Sequence, residues 1–459
     1  MNFFPHIFAP SLFAGRRFAV VGLGKNGLPV ARALLAMGAG VVAWDDKAAA
    51  REAAAAAGIN VAEPEMAGLE ALVLSPGIPH ILPAPHPIAA RAIAAGVAIL
   101  SDAELLFRAV RGSGSAARFA GITGTNGKST TTALLAHILA HAGRPVAAGG
   151  NLGTAALALP LLPQDGVYVL EMSSYMLERL ETIRFDAAAM LNLSADHLDR
   201  HGNMAGYACV KQAIFARQTA ADTAVVGVDD APSRNMTESL RNFPARLVTV
   251  SGEGPADIWP DGSVLRDACG PIVDLAGARA LPGAHNAQNA AAAAALALAL
   301  GVARADIAAG VETYPGLPHR QERVAEARGV QFINDSKATN AESAARALGC
   351  YDPIVWIAGG MAKAGGIESL VPFFPRIALA LLIGRDSPVL AATLAAHGVP
   401  YREVGTLEAA VAQGWESARG GAAAVVLLSP ACASWDQFTG FDQRGDQFRA
   451  LAHQIAEGG

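Results

Sequence analysis

Short apolar runs recur along the chain, each followed by a turn and then by a stretch long enough for a helix. Phe18-Ala19-Val20-Val21-Gly22-Leu23 is the first; a helix from about Gly27 to Met37 and a strand at Val41-Val42-Ala43-Trp44 follow it. Leu72-Val73-Leu74 and Ala98-Ile99-Leu100 read as further strands. Phe119 to Thr123 predicts a strand and Lys128 to about His141 its helix, while Tyr168-Val169-Leu170-Glu171 and Ala187 to Asn192 read as strands ending in polar residues. Later runs near Phe332-Ile333, Ile354 to Ala358, Ala378 to Ile383 and Val425 to Leu428 continue the alternation. Strand alternating with helix implies α/β architecture with mainly parallel sheets.

The pattern is punctuated twice. Gly112-Ser113-Gly114-Ser115 reads as a linker, and Pro315 with Pro318 marks a second boundary. Three domains follow, at residues 1–114, 115–316 and 317–459. In open α/β sheets ligands bind beyond the carboxyl ends of the strands, which says where chemistry is to be sought in each.

Composition narrows the class. With 52% apolar and 16% charged residues, the chain has material for packed cores and little case for disorder. A net charge of −5 argues against a general basic surface for nucleic acid. Four cysteines without metal-finger spacing fit a reducing, cytoplasmic setting. The N-terminal Met1-Asn2-Phe3-Phe4-Pro5 lacks the basic region of a signal peptide, and the low-polarity run Ala290 to Ala303 is too short to span a membrane. Of 35 basic residues only six are lysine: Lys25, Lys47, Lys128, Lys211, Lys337 and Lys363. Scatter through base bias is the plain explanation. It weakens if most of the six fall inside motifs, because a compact ammonium or a nucleophilic amine is something arginine cannot supply.

Two glycine turns stand between a strand and a helix. Gly22-Leu23-Gly24-Lys25-Asn26-Gly27 is a G-x-G-x-x-G turn suited to a pyrophosphate, with Asp45 and Asp46 at the next strand's end for a ribose or a base. A nicotinamide dinucleotide is its obvious ligand, and a turn that binds nothing is its bland alternative. Gly124-Thr125-Asn126-Gly127-Lys128-Ser129-Thr130 is more specific. Its N–H groups would cradle phosphates, Lys128 would reach the β and γ phosphates, and Ser129 or Thr130 would hold Mg²⁺. The generic pattern fails at one position, where Ile122 replaces the first glycine.

Glu171, His197 within Asp196-His197-Leu198-Asp199-Arg200, and Lys211 on a predicted helix are groups that could stand near a metal. Leu281-Pro282-Gly283-Ala284-His285-Asn286 leads into a helix carrying Asn289, whose amide could pair with an adenine edge, although by itself a cap and turn is the favoured explanation. In the third block Asn334 to Asn340, Gly359-Gly360-Met361-Ala362-Lys363 and Ser429-Pro430-Ala431-Cys432-Ala433-Ser434 each follow a strand, a plausible cradle for an amino-acid carboxylate. Cys432, with no base nearby in sequence, reads as a small buried residue rather than a nucleophile.

Taken in order, these motifs resemble the Mur ligase family, which builds the peptide of bacterial peptidoglycan. Thr123 to Thr130 is similar to that family's ATP loop, and Leu281 to Asn289 to its L-x-G-x-H-N-x-x-N element. Gly22 to Gly27, Ser75-Pro76-Gly77-Ile78-Pro79, Asp335 to Asn340, and Ser429 to Ser434 with Asp436-Gln437-Phe438 look most like the D-glutamate-adding members. The resemblance implies a Rossmann-like N-terminal domain, a central P-loop-type ATPase domain with a mostly parallel sheet, and a C-terminal Rossmann-like α/β domain. It replaces the nicotinamide with the UDP-sugar of UDP-N-acetylmuramoyl-L-alanine, at Gly22, Leu23, Gly24, Asp45, Asp46, Ser75, Pro76, Gly77 and Asn151. ATP would lie on Thr125, Asn126, Gly127, Lys128, Ser129, Thr130, Thr131, Asn286, Asn289, Arg320 and Asp335. One Mg²⁺ would sit on Ser129 and Glu171 and a second on His197 and a carbamylated Lys211, with Lys128, His197 and Lys211 catalytic. D-glutamate would meet Thr339, Lys363, Ser434 and Phe441; Met361 stands where a polar residue is expected in the loop through Ala364. The implied protein is a monomer acting on small molecules, with a relative using L-glutamate or a folylpolyglutamate synthase as the near alternative and a non-catalytic nucleotide-binding regulator as the distant one.

Overall fold

A computed structural model describes residues 7–363 and 365–458. The N-terminal pentapeptide read above and Ala364 lie outside the described residues. The chain divides into two compact units: the first runs to Ala278 and includes Asn286–Tyr314, and the second is Arg279–His285 with the chain from Pro315 on.

The first unit holds two sheets. The smaller orders its strands Gly40–Trp44, Arg17–Val21, Ala71–Leu74 and Ala98–Leu100, all parallel. The larger has nine strands. Six are parallel, in the order Val146–Gly150, Val167–Glu171, Arg118–Thr123, Ala187–Met190, Thr223–Gly227 and Arg246–Val250. Ile258–Asp261 joins parallel to the last of these, and Val264–Asp267 and Gly270–Asp274 extend the sheet antiparallel. That tail was not expected from the sequence.

Helix Asp102–Gly112 carries the chain from one sheet to the other, and Leu105, Leu106, Ala109 and Val110 on it are fully buried. They belong to one apolar cluster with Phe18 and Leu34 on one side and Phe119 and Tyr168 on the other. In the Gly112 to Ser115 stretch, read as a linker, Gly112 ends this helix and Ser113 and Gly114 form a tight turn. Ser113 Oγ donates to Ala109 O, and Arg111 donates to Ser115 O and Ala117 O. A shared core that excludes water holds the two sheets as one unit.

The second unit contains one six-stranded sheet, ordered Glu322–Ala327, Val330–Asn334, Val425–Leu428, Ile354–Gly359, Ile377–Ile383 and Tyr401–Gly405. Only the first strand is antiparallel. Trp356 is fully buried at its centre and donates its indole N–H to Ser429 O at 2.8 Å, which ties the central strand to the loop after its neighbour. Among the described residues no helix is long and apolar enough to cross a membrane.

Candidate active site

Strand Arg118–Thr123 lies between Val167–Glu171 and Ala187–Met190, so the turns after all three leave the same edge. The glycine turn bends there because Gly124 and Gly127 have φ of 147° and 85°, regions that a side chain resists. Gly127 then precedes helix Lys128–His141, whose start directs N–H groups into the turn. The turn is fastened from Asn192: its Oδ1 accepts Asn126 N at 2.8 Å, its Nδ2 donates to Asn126 O at 3.1 Å, and its carbonyl accepts Thr125 N. Lys128 Nζ rests on Gly124 O and Thr125 O, both at 2.8 Å. Ser129 is buried and Thr130 half-buried. Thr131 is fully buried, and its hydroxyl donates to Asn289 Oδ1 at 3.3 Å, so it supports the turn from beneath. Asn289 Nδ2 donates to Asn286 Oδ1 at 3.0 Å, and helix Ala284–Ala299 carries both amides, buried.

Glu171 ends its strand 2% exposed. Oε1 accepts from Asn151 Nδ2 at 2.7 Å, while Oε2 is buried with no hydrogen-bond partner among the described residues. Asn151 was expected on the UDP-sugar; the structure places its amide on Glu171. Lys211, on helix Met204–Gln212, is 1% exposed and directs Nζ to Gly124 O at 2.8 Å and Thr123 Oγ1 at 3.2 Å. Burial, then the Lys128 charge, holds its pKa well below the ordinary lysine range. His197 is exposed, in the left-handed region at φ 51°, with Tyr175 5.1 Å away ring to ring.

No three His, Cys, Asp or Glu side chains form a metal cage among the described residues. Mg²⁺ needs no such cage, since it takes one or two carboxylates and completes its shell with water and phosphate. The unpartnered oxygen of Glu171, a hard donor in a buried place, fits such an ion.

A second cleft, of about 540 Å³, opens on the smaller sheet and is lined by Gly22, Gly24, Asp45, Asp46, Ser75 and Pro76 among others. A Cβ on Gly27 would stand 1.7 Å from Gly22 O, and one on Gly22 would stand 2.6 Å from Ser75 Oγ. A Cβ on Gly24 would meet nothing within 4 Å, so this backbone is free for a ligand to approach. Asp45 spends its carboxylate on Leu23 N at 2.7 Å and Lys47 N at 2.9 Å, bracing the turn; Asp46 is exposed and faces His86 Nε2 at 3.1 Å. Gly77 is exposed.

In the second unit, Asp335 accepts Ser429 Oγ at 2.8 Å and Gln321 N at 3.2 Å. Burial pushes its pKa up to about 7. Lys337 Nζ lies 3.6 Å from the centre of the Phe441 ring. Met361 pairs with Ala433 through two backbone hydrogen bonds, at 2.8 and 2.9 Å. An apolar residue is therefore compatible with the loop's shape, and the bridge holds the segment bearing exposed Lys363 beside the one bearing buried Ser434. Thr339 and Arg320 are half-buried in the same unit. Cys432 is 1% exposed, and burial pushes its thiol up to about 12, as its small-residue reading requires.

Asn192 and Arg444 are among the residues that escaped the sequence reading. Asn192 was visible only as a polar strand end. Fully buried Arg444 donates to Ser336 Oγ and O and to Cys432 O, while Ser336 Oγ donates to Phe441 O.

Residues 122–297 match the Mur ligase middle domain and residues 319–432 the Mur ligase glutamate ligase domain. The chain is 51% identical to a UDP-N-acetylmuramoylalanine--D-glutamate ligase of Paramagnetospirillum magneticum over 98% of both chains. It is 48% identical to the Rhizobium meliloti enzyme of that name over 95% of this chain and 96% of the other. A crystal structure of MurF from Acinetobacter baumannii superposes with a TM-score of 0.59 at 18% identity, covering 98% of this chain and 93% of that one, a likeness of fold. With such identity along almost the whole chain, and with the phosphate turn and both domain matches in sequence order, the protein belongs to the Mur ligase family of ATP-dependent ligases.

Proposed function

We propose that the protein joins D-glutamate to UDP-N-acetylmuramoyl-L-alanine at the expense of ATP. The observation that carries this reading is the meeting, at one sheet edge, of the Gly124–Thr130 turn, the unpartnered Glu171 oxygen and the Lys211 amine. The names of its relatives supply the substrates. Residues 1–114 take the UDP-sugar, 115–316 the ATP and 317–459 the amino acid.

A free carboxylate is a poor electrophile, so the alanyl carboxylate first attacks the γ-phosphorus of ATP. The bond to the β,γ-bridging oxygen breaks, and ADP leaves. The amine of D-glutamate then attacks the acyl carbon. Phosphate departs with the oxygen it gained, and the amine loses a proton. The turn's N–H groups and Lys128 offset charge on the transferring group. Glu171 and Ser129 would hold one Mg²⁺, with His197 and carbamylated Lys211 at a second; bound metal supplies Lewis-acid charge neutralisation. Carbamylation needs a neutral amine, and the buried Lys211 is biased toward that form. Asn286, Asn289, Arg320 and Asp335 hold the nucleotide; Thr339, Lys363, Ser434 and Phe441 hold D-glutamate.

Phosphate release tests the reading. It should require ATP, Mg²⁺, UDP-N-acetylmuramoyl-L-alanine and D-glutamate together, and L-glutamate or diaminopimelate should not replace D-glutamate. No release with D-glutamate, or release with L-glutamate at an equal rate, would sink it.

A further inference from the structure

Between the two sheets of the first unit lies a buried knot of charge that none of the roles above uses. Arg179, 2% exposed, follows the short helix Ser174–Leu177. Its guanidinium donates to Leu74 O at 2.9 Å, Ser75 O at 3.3 Å and Ile78 O at 2.5 Å, and to His80 Nδ1 at 3.4 Å. Those acceptors belong to the loop whose Ser75, Pro76 and Ile78 line the 540 Å³ cleft. Arg200, 6% exposed and three residues beyond His197, donates to the same Ile78 O at 3.4 Å, to the same His80 Nδ1 at 3.3 Å and to Glu178 at 3.3 Å.

The arrangement is costly. Two buried guanidiniums share one nearby carboxylate, Glu178, and burial followed by the Arg200 charge draws the Arg179 pKa down to about 10. His80 must leave Nδ1 unprotonated to accept from both, which fits a pKa held near 4 by burial and the two arginines. Its 3.5 Å approach to Glu178 is therefore no ion pair.

The backbone of Arg179 is itself fixed. Its carbonyl accepts Ser101 N at 3.0 Å, and the next residues are gripped by Glu104, which accepts Glu181 N, Thr182 N and Ile183 N, each at 3.0 Å. A planar fork on a rigid base can dictate the shape of a loop by holding three of its carbonyls at once. A lysine, with one tetrahedral head, could not span those acceptors.

We propose that Arg179 is a positioning residue for the UDP-sugar, setting the Ser75–His80 loop through the carbonyls and the imidazole that it holds. The inference rests on the UDP-sugar reading of the cleft. Binding of UDP by calorimetry tests it, beside melting temperature, KM for each substrate and amide hydrogen exchange over 74–80. Arg179→Gln should weaken UDP binding about tenfold, the scale of a clamp worth about 1.4 kcal/mol. It should raise KM for UDP-N-acetylmuramoyl-L-alanine alike, speed exchange over 74–80 and leave KM for ATP unchanged; Arg179→Lys should fall between. A merely structural arginine would lower the melting temperature and kcat without selecting one substrate. If Arg179→Gln does not fold, Arg179→Lys decides by the same readouts. Native binding of UDP with unaltered binding by the variant overturns the inference alone. Failure of the native protein to bind UDP overturns the cleft's reading, and the inference with it.

Discussion

Gly127→Ala probes the phosphate turn where its geometry is least forgiving. At φ 85° an alanine pays about 1–2 kcal/mol for the left-handed conformation. Its Cβ would also stand 2.2 Å from Asn289 Oδ1 and 3.2 Å from Leu191 Cδ1. Asn289 is 2% exposed, so it cannot swing into solvent; to yield it must loosen its bonds to Thr131 and Asn286. Two hydrogen bonds at about 1 kcal/mol each bring the total to roughly 3–4 kcal/mol. If the turn holds its shape, that cost falls on unfolding free energy. If Asn289 and the turn shift, it falls on nucleotide binding, where 1.4 kcal/mol is tenfold and KM for ATP rises about 100-fold or more. Denaturant melts and ATP titrations together capture the sum. Gly58→Ala is the control, because Gly58 has φ 79° but nothing within 4 Å of its Cβ, so only the conformational term of about 1–2 kcal/mol applies. A Gly127→Ala protein no less stable than Gly58→Ala, with KM for ATP within twofold of native, would refute the reasoning.

Lys211→Ala should lose roughly 100-fold in activity, the scale of a disrupted metal site, and regain part of it with added short carboxylates; full activity in plain buffer would remove the carbamate from the account. His80 and His201 are held near pKa 4, chiefly by burial, whereas the unfolded chain protonates them near 6.5. The unfolded state therefore binds more protons between those values, and the first unit should be fully stabilised by them above about 6.5 and lose that share as pH falls toward 4. His80→Gln should flatten this pH slope, and an unchanged slope would contradict it. Cys432 should resist thiol reagents in the native state while exposed Cys209 and Cys269 react, as mass spectrometry after brief labelling would show.

What the sequence disclosed follows from which forces act locally. Helix Lys128–His141 begins and ends where the residues indicate, because glycine before it and Ala-Gly after it punctuate the backbone regardless of tertiary context. Central strands such as Val425–Leu428 are equally plain, since burial on both faces demands unbroken apolar runs. The antiparallel tail was missed because Ile258–Asp261 and Val264–Asp267 are short and partly polar, although Gly262-Ser263, with Gly262 at φ 63°, is a hairpin signal. Lys128 and Lys211, far apart in sequence, both donate to Gly124 O. Asp45, Asn151 and Thr131 could be named but not assigned a partner, because their hydrogen bonds to Leu23, Glu171 and Asn289 depend on strand order. Arg179 and Arg444 were silent for the same reason: a buried guanidinium looks like any other arginine until the loops it joins have come together.

In the proposed reaction the alanyl carboxylate attacks the γ-phosphate of ATP and the glutamate amine then displaces the phosphate. UDP-N-acetylmuramoyl-L-alanine with heavy oxygen in that carboxylate, turned over with ATP and D-glutamate, tests it directly. The released phosphate should carry one labelled oxygen, and the new amide should retain the other. Amide formed with unlabelled phosphate would contradict it.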